Sequence, residues 1–152
     1  MKQDYREELN RFFVTTFNKI LAWEEKSLEK SGLKDISVKE IHIIEAAAHL
    51  EPIKANTMTH IADRINISVG ALTTAVNAVV RKGYLFRGSD EKDRRIVYLH
   101  LTDAGKAALK IHDEFHNNMV DSIINILDEQ SLDTTTKSLE LLTNFFENLL
   151  SN

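Results

Sequence analysis

The sequence predicts a mainly α-helical chain carrying one small two-stranded β ribbon. Three observations predict it. Apolar residues recur at helical spacing over most of the 152 residues. Two short helical runs, separated by a break of three or four residues, occupy positions 57–82. Directly after them, two short runs of strand character flank a charged loop.

The elements follow in order. Residues 4–30 form a long first helix, with Leu9, Phe12, Phe13, Phe17, Ile20, Leu21, Glu24 and Leu28 on one stripe; Gly32 ends it. Ser37-Val38-Lys39-Glu40 is a capping box that starts a second helix, ending near Leu50. Ile41, Ile43, Ile44, Ala46, Ala47 and Ala48 make that helix apolar on several sides, so it is central. Pro52, the only proline, stops it, and Ile53 and Lys54 read as a short strand beside the ribbon. Thr57 caps a third helix over 58–65, and Asn66 breaks it where a left-handed residue is wanted. Ser68 caps a fourth helix over 69–82, with Gly83 one step past its end. The strands are 84–87 and 96–101. Thr102 caps a fifth helix to about 127, and Ser131 caps a last one carrying Leu139, Leu142, Phe145, Phe146, Leu149 and Leu150. The first, fifth and last helices carry more apolar surface than one small unit can cover. The economical solution is two interlocked chains with two-fold symmetry.

The fourth helix has the chemistry of a base reader. Leu72, Val76, Val79 and Val80 must face the core, which turns Ala71, Thr73, Thr74, Asn77 and Arg81 outward. Small hydroxyl and amide groups reach base edges, and alanine or a threonine methyl can touch the thymine methyl. An ordinary amphipathic helix would show a similar face, and the ribbon shifts the balance. Its tip, Gly88-Ser89-Asp90-Glu91-Lys92-Asp93-Arg94-Arg95, places guanidinium groups where a narrow minor groove would attract them. Asp93, two residues before Arg95, can hold that side chain in place. Charge agrees: residues 54–101 carry eight Lys/Arg against four Asp/Glu, although the whole chain has a net charge of −4.

At these residues the chain resembles a known family. Asp93-Arg94-Arg95, Leu99-His100-Leu101-Thr102 and Gly105, with the turn Arg81-Lys82-Gly83-Tyr84, look like the signature of MarR-family regulators. The resemblance implies a winged helix-turn-helix fold and a homodimeric repressor on double-stranded DNA. It also implies that Arg95 enters the minor groove while Asp93 orients it. The expected organisation is a single unit over 1–152, with a winged helix-turn-helix region at 36–101 and dimerisation helices at 1–32 and 102–152. The expected DNA-contacting residues are Ser68, Ala71, Thr73, Thr74, Asn77, Arg81, Lys92, Asp93, Arg94 and Arg95. A paired protein would present two reading helices to a palindromic operator about one DNA turn apart.

A second constellation lies elsewhere. His112 and His116 are four residues apart and share the apolar row Ala108, His112, His116, Val120. His42 lies in the second helix, and Glu24 sits on the apolar stripe of the first, where an uncompensated carboxylate would be costly. Such residues either pack a cleft through hydrogen bonds or hold tetrahedral zinc. The set is similar to the zinc site of zinc-responsive MarR-family repressors, which implies metal at Glu24, His42, His112 and His116. Lys30 and Ile41 stand at ligand positions of the second, cysteine-containing site of that group, so that site is not expected. The segments Asp35-Ile36-Ser37-Val38-Lys39-Glu40 and His112-Asp113-Glu114-Phe115-His116-Asn117-Asn118-Met119-Val120 resemble the MarR-type repressors of bacterial fatty-acid synthesis genes. That resemblance implies a long-chain acyl ligand, carried on acyl carrier protein, with Phe17, Phe115 and Met119 as candidate lining.

Other classes fare worse. The chain has no cysteine, so no disulfide framework and no thiolate nucleophile. Its charged beginning, MKQDYREELN, does not read as a signal peptide, and no run is apolar enough to cross a bilayer. A cytoplasmic location, no membrane partner and no required cofactor are expected, with zinc the one candidate. Three histidines and an open zinc position could activate water. No glycine-rich phosphate loop or activated nucleophile accompanies them, so an enzyme is not expected.

Overall fold

The computed structural model describes residues 2–151. The elements are α1 (Lys2–Arg11), a π-helical turn (Phe12–Thr16), α2 (Phe17–Lys30), α3 (Val38–Leu50), a 3-10 turn (Glu51–Ile53), α4 (Met58–Arg64), α5 (Val69–Arg81), β1 (Leu85–Ser89), β2 (Val97–Leu101), α6 (Asp103–Ile126) and α7 (Glu129–Leu150). The fold is mainly α, with one antiparallel ribbon in which Leu85 pairs with Leu101 and Ser89 with Val97. The chain divides into two compact units, one up to Phe115 and one from His116.

Local chemistry sets the helix ends. Three helices close in the same way, with the backbone turning left-handed one residue past the cap. At Gly32 (φ +86°), Asn66 (φ +54°) and Gly83 (φ +83°) the next two amides fold back onto the last carbonyls. After α5, for example, Gly83 N donates to Val80 O (3.0 Å) and Tyr84 N to Val79 O (3.2 Å). At the start of α3 the capping box is reciprocal: Ser37 Oγ accepts from Glu40 N, and Glu40 Oε2 accepts from Ser37 N at 2.8 Å.

The core of the first unit surrounds α3. Ile41, Ile43, Ile44 and Ala47 are fully buried, and Ile61, Leu72, Val76, Val79, Leu85 and Leu99 close over them. Burying each such aliphatic side chain contributes about 1.5–3 kcal/mol. Two polar ties lock the edges. Lys82 donates to both Glu40 oxygens at 2.8 Å. Burial pushes the Glu40 carboxyl up, but Lys82 and the Ser37 bonds outweigh it and hold it below its usual value. Tyr84 OH donates to Asp35 at 2.8 Å, and burial with that bond pushes the phenol up to about 12.

Three sequence expectations need correction. Ile53 and Lys54 do not form a strand: Glu51–Ile53 is a 3-10 turn, and Lys54 is left-handed at φ +54°. Pro52 lacks the N–H a ladder needs. The third backbone partner of the ribbon comes later, where Leu99 N donates to Asn56 O at 2.9 Å and Thr57 bridges Tyr98. Buried Asn56 completes it by donating from its side chain to Leu99 O. The last helix is capped by Asp128, which accepts from Ser131 N at 2.7 Å, so Ser131 already lies in the first turn. The ribbon strands also start one residue later than expected, at Leu85 and Val97. Tyr84 is drawn into the α5 cap instead.

In the second unit, α7 buries none of its described residues; Leu139, Leu141, Phe145, Phe146, Leu149 and Leu150 are all exposed. Leu9, Phe12, Phe13, Val14 and Phe17 are likewise exposed in the first unit. Apolar exposure on this scale, taken in each unit by itself, is what an interaction surface shows.

Candidate functional site

The α5 face opposite the core is exposed throughout. Leu72, Val76 and Val79 turn inward, which leaves Ala71, Thr73, Thr74, Asn77 and Arg81 outward, and Ser68 caps the helix by accepting from Ala71 N at 3.1 Å. Thr73 donates its hydroxyl to Val69 O at 2.8 Å, so it presents lone pairs and a methyl group outward. Asn77 Oδ1 accepts from Arg87 Nη2 at 2.7 Å. Arg87 stands on β1, opposite Leu99, and was not among the sequence candidates.

The ribbon tip is organised by two aspartates. Asp90 Oδ1 accepts from the backbone of Lys92 (2.7 Å) and Asp93 (2.9 Å), which curls the loop into a turn. Asp93 then grips Arg95 from two sides: Arg95 Nε donates to Oδ1 (2.9 Å) and Nη2 to Oδ2 (2.8 Å). The guanidinium holds the Asp93 carboxyl below its usual value, and the carboxylate raises that of Arg95 in turn. Arg95 is 90% exposed and yet fixed in direction. Lys92 and Arg94 are exposed beside it. Donor groups on α5 and cations on the tip are what a duplex offers partners for: acceptor edges in the wide groove, phosphates and negative potential in the narrow one.

Glu24, His42 and His112 come together inside the first unit. Glu24 is 3% exposed, and its Oε1 lies 2.9 Å from His42 Nε2 and 3.3 Å from His112 Nδ1. Glu45 Oε2, which the sequence reading passed over, lies 3.7 Å from His112 Nε2. The hydrogen bond from Glu24 raises the pKa of His42 despite burial, and His112 lowers that of Glu45. His116 follows His112 by one turn of α6, half-buried, and opens the second unit. Glu24, His42 and His112 each offer one ligand atom, all within 4.8 Å of one another. Tetrahedral zinc with bonds near 2.0–2.1 Å sets its donors about 3.4 Å apart, so these imidazoles and this carboxylate fit it with little movement.

The three candidate acyl-lining residues are in different circumstances. Phe17 is exposed, Phe115 is buried edge-on against Trp23 (centroids 5.1 Å apart), and Met119 is half-buried in the second unit. Beside His42 the structure opens a cleft of about 390 Å³ lined by Leu21, Val38, Ile65 and Ile67, with Glu25 and Lys39 at its polar side.

Known proteins resemble this chain in sequence and in fold. The family described as MarR family matches residues 31–96. The crystal structure of Streptococcus pneumoniae FabT in complex with DNA superposes with a TM-score of 0.84 at 36% identity, covering 95% of this chain and 99% of that one. Among curated proteins, the transcriptional regulator YkoM of Bacillus subtilis is 31% identical over 101 residues, 66% of this chain and 62% of its own length. The transcriptional regulator AdcR of Streptococcus pneumoniae is 34% identical over 56 residues, 37% of this chain and 38% of its own. The chain spans 38–62% of the length of the first curated relatives it matches. These relatives are transcriptional regulators, not enzymes. The chain belongs to the MarR family of winged helix-turn-helix regulators.

Proposed function

We propose that this protein is a sequence-specific, DNA-binding transcriptional repressor that acts as a homodimer on a palindromic operator. The observation that carries the reading is the Asp93–Arg95 chelate at the tip of the ribbon, beside the exposed polar face of α5. In this reading residues 36–101 form the DNA-reading region. Ser68, Ala71, Thr73, Thr74, Asn77 and Arg81 serve the major groove; Lys92, Arg94 and Arg95 serve the backbone and minor groove, and Asp93 orients Arg95. The helices at 1–32 and 102–152 pair the two chains, which would cover the apolar residues exposed on α1, α2 and α7. No helix among the described residues is long and apolar enough to cross a membrane, which agrees with a cytoplasmic protein working on DNA. The resemblance of residues 35–40 and 112–120 to repressors of fatty-acid synthesis genes favours those genes as targets and an acyl chain as effector. The apolar cleft beside His42 is a site such a chain could enter.

The test is selection from a library of random duplexes by the full chain, followed by binding to the selected site over a range of salt. We expect a two-fold symmetric consensus, a particle of twice the 17.3 kDa chain mass, and affinity falling about a hundredfold or more between 50 and 200 mM salt. A chain that remains single at working concentration and enriches no sequence would end the proposal.

One observation favours an additional property. Two imidazoles and a buried carboxylate converge at Glu24, His42 and His112. We expect zinc there, with His116 as the fourth donor because its spacing puts it on the same face of α6 as His112. Bound zinc would supply a positive centre neutralising Glu24 and tying α2, α3 and α6 together. Calorimetric titration of chelator-stripped protein should show one zinc per chain, and His112→Gln should lower the affinity at least about tenfold. Uptake below about a tenth of an equivalent, with no rise in melting temperature, would leave the cluster as a purely hydrogen-bonded one.

A further inference from the structure

We infer that Arg87 is a specificity-determining residue: by donating to Asn77 it fixes the direction of that amide, so that α5 offers a hydrogen-bond donor there and selects an accepting base edge, guanine or thymine, over adenine. The inference rests on the DNA-reading proposal above.

The chemistry leaves little freedom. A guanidinium carries N–H donors only, so the atom of Asn77 that faces it at 2.7 Å must be the carbonyl oxygen. The amide is planar, and its NH2 is then turned to the other side. A free asparagine offers one acceptor and one donor, the pair that matches N6 and N7 of adenine. Here the acceptor is already engaged by a charged donor, and charge-assisted bonds are the stronger ones. What the amide turns away from Arg87 at this position is its NH2 donor, with a cation beside the shared oxygen and only that oxygen's second lone pair left to accept. Guanine, with O6 and N7 side by side, answers both the donor and the cation; thymine O4 answers the first; adenine can accept only at N7 and sets its N6 donor against the cation, and cytosine N4 is a donor and is opposed.

The fold holds this polarity in place. Arg87 comes from β1, whose pairing opposite Leu99 is fixed by the ribbon register, and Asn77 comes from the third turn of α5, whose buried row fixes its rotation. Both residues are exposed on the side of α5 turned away from the core. One turn earlier, Thr73 has already given its hydroxyl proton to Val69 O, so it presents the opposite character, lone pairs and a methyl group. The reading face therefore has a defined order of acceptor and donor along the helix.

The experiment is duplex selection with the full-length parent, Asn77→Ala, Arg87→Met and Arg87→Lys. The parent should enrich guanine or thymine at one position, and Asn77→Ala should lose preference at that position, which identifies it. Arg87→Met keeps the aliphatic stem but frees the amide, and should move that position toward adenine by about tenfold while other positions hold. Arg87→Lys, still a pure donor, should keep the parental base. The inference fails if Arg87→Met weakens all sequences alike with the salt slope falling by about one, the signature of a phosphate contact. It also fails if the parent already prefers adenine where Asn77 reads. A parent that selects no sequence would remove the DNA-reading proposal itself, and no position would then emerge to compare.

Discussion

Arg95→Ala is expected to bind the proposed operator about ten- to a hundredfold more weakly than the parent, with gel shift or fluorescence anisotropy as the measurement. A guanidinium in a narrow groove gains from the enhanced negative potential there, and the gain depends on the groove being narrow. The defect should therefore be largest on operators flanked by A·T-rich sequence and shrink on G·C-rich flanks. The Asp93 chelate makes a second variant informative. Asp93→Asn leaves the cation but removes the two-point grip through which Nε and Nη2 are held. It should fall between parent and Arg95→Ala, with a salt slope unchanged because the number of cations is unchanged. Equal binding by Arg95→Ala and parent on A·T-rich flanks would show that the ribbon tip does not touch DNA.

Gly105→Ala is expected to lower stability by about 3 kcal/mol and the melting temperature by roughly 10 °C. The reason is space, not torsion: Gly105 lies in the first turn of α6, and a Cβ there would run into the carbonyl oxygen of Tyr84. That oxygen cannot easily give way, since it accepts from both Thr102 N and Thr102 Oγ1 at 3.1 Å. The contact joins the start of α6 to the turn after α5, so relief requires moving the ribbon or the helix. Gly83→Ala is the contrasting case. Nothing stands within 4 Å of its missing Cβ, but its φ is +83°. It should cost only the left-handed penalty, about 1 kcal/mol. Thermal unfolding followed by circular dichroism separates the two; similar losses for both would show that the approach to Tyr84 relaxes freely.

Features governed by neighbours in sequence were legible before the structure. The capping box at Ser37 and Glu40, the left-handed breaks at Asn66 and Gly83, and the buried row of α5 follow from local spacing. Glu24 was legible for a different reason: a carboxylate on an apolar stripe must have a partner, and His42 at 2.9 Å is one. What escaped depended on register between elements. Arg87 reaches Asn77 only because β1 pairs as it does after a particular turn. Glu45 approaches His112 from a helix far away in sequence. Ile53 and Lys54 are a case of another kind: the short strand expected there is opposed by Pro52, which lacks the N–H a ladder needs, and a 3-10 turn forms instead. At Asp128 and Ser131, two competent caps lay three residues apart, and the earlier one started the helix.

The π-helical turn between α1 and α2 has a consequence for the whole rod of residues 2–30. Each residue of an α-helix advances the rod by about 100° of rotation, and a wider turn absorbs one residue without that advance. Asn18 Nδ2 satisfies Val14 O at 2.7 Å there. The rod thus changes phase partway, like a shaft with a gear in it. Its later half can aim Glu24 and Leu28 inward while the aromatic side chains of its earlier half answer to a different neighbour, so insertions at this point retune one surface and spare the other.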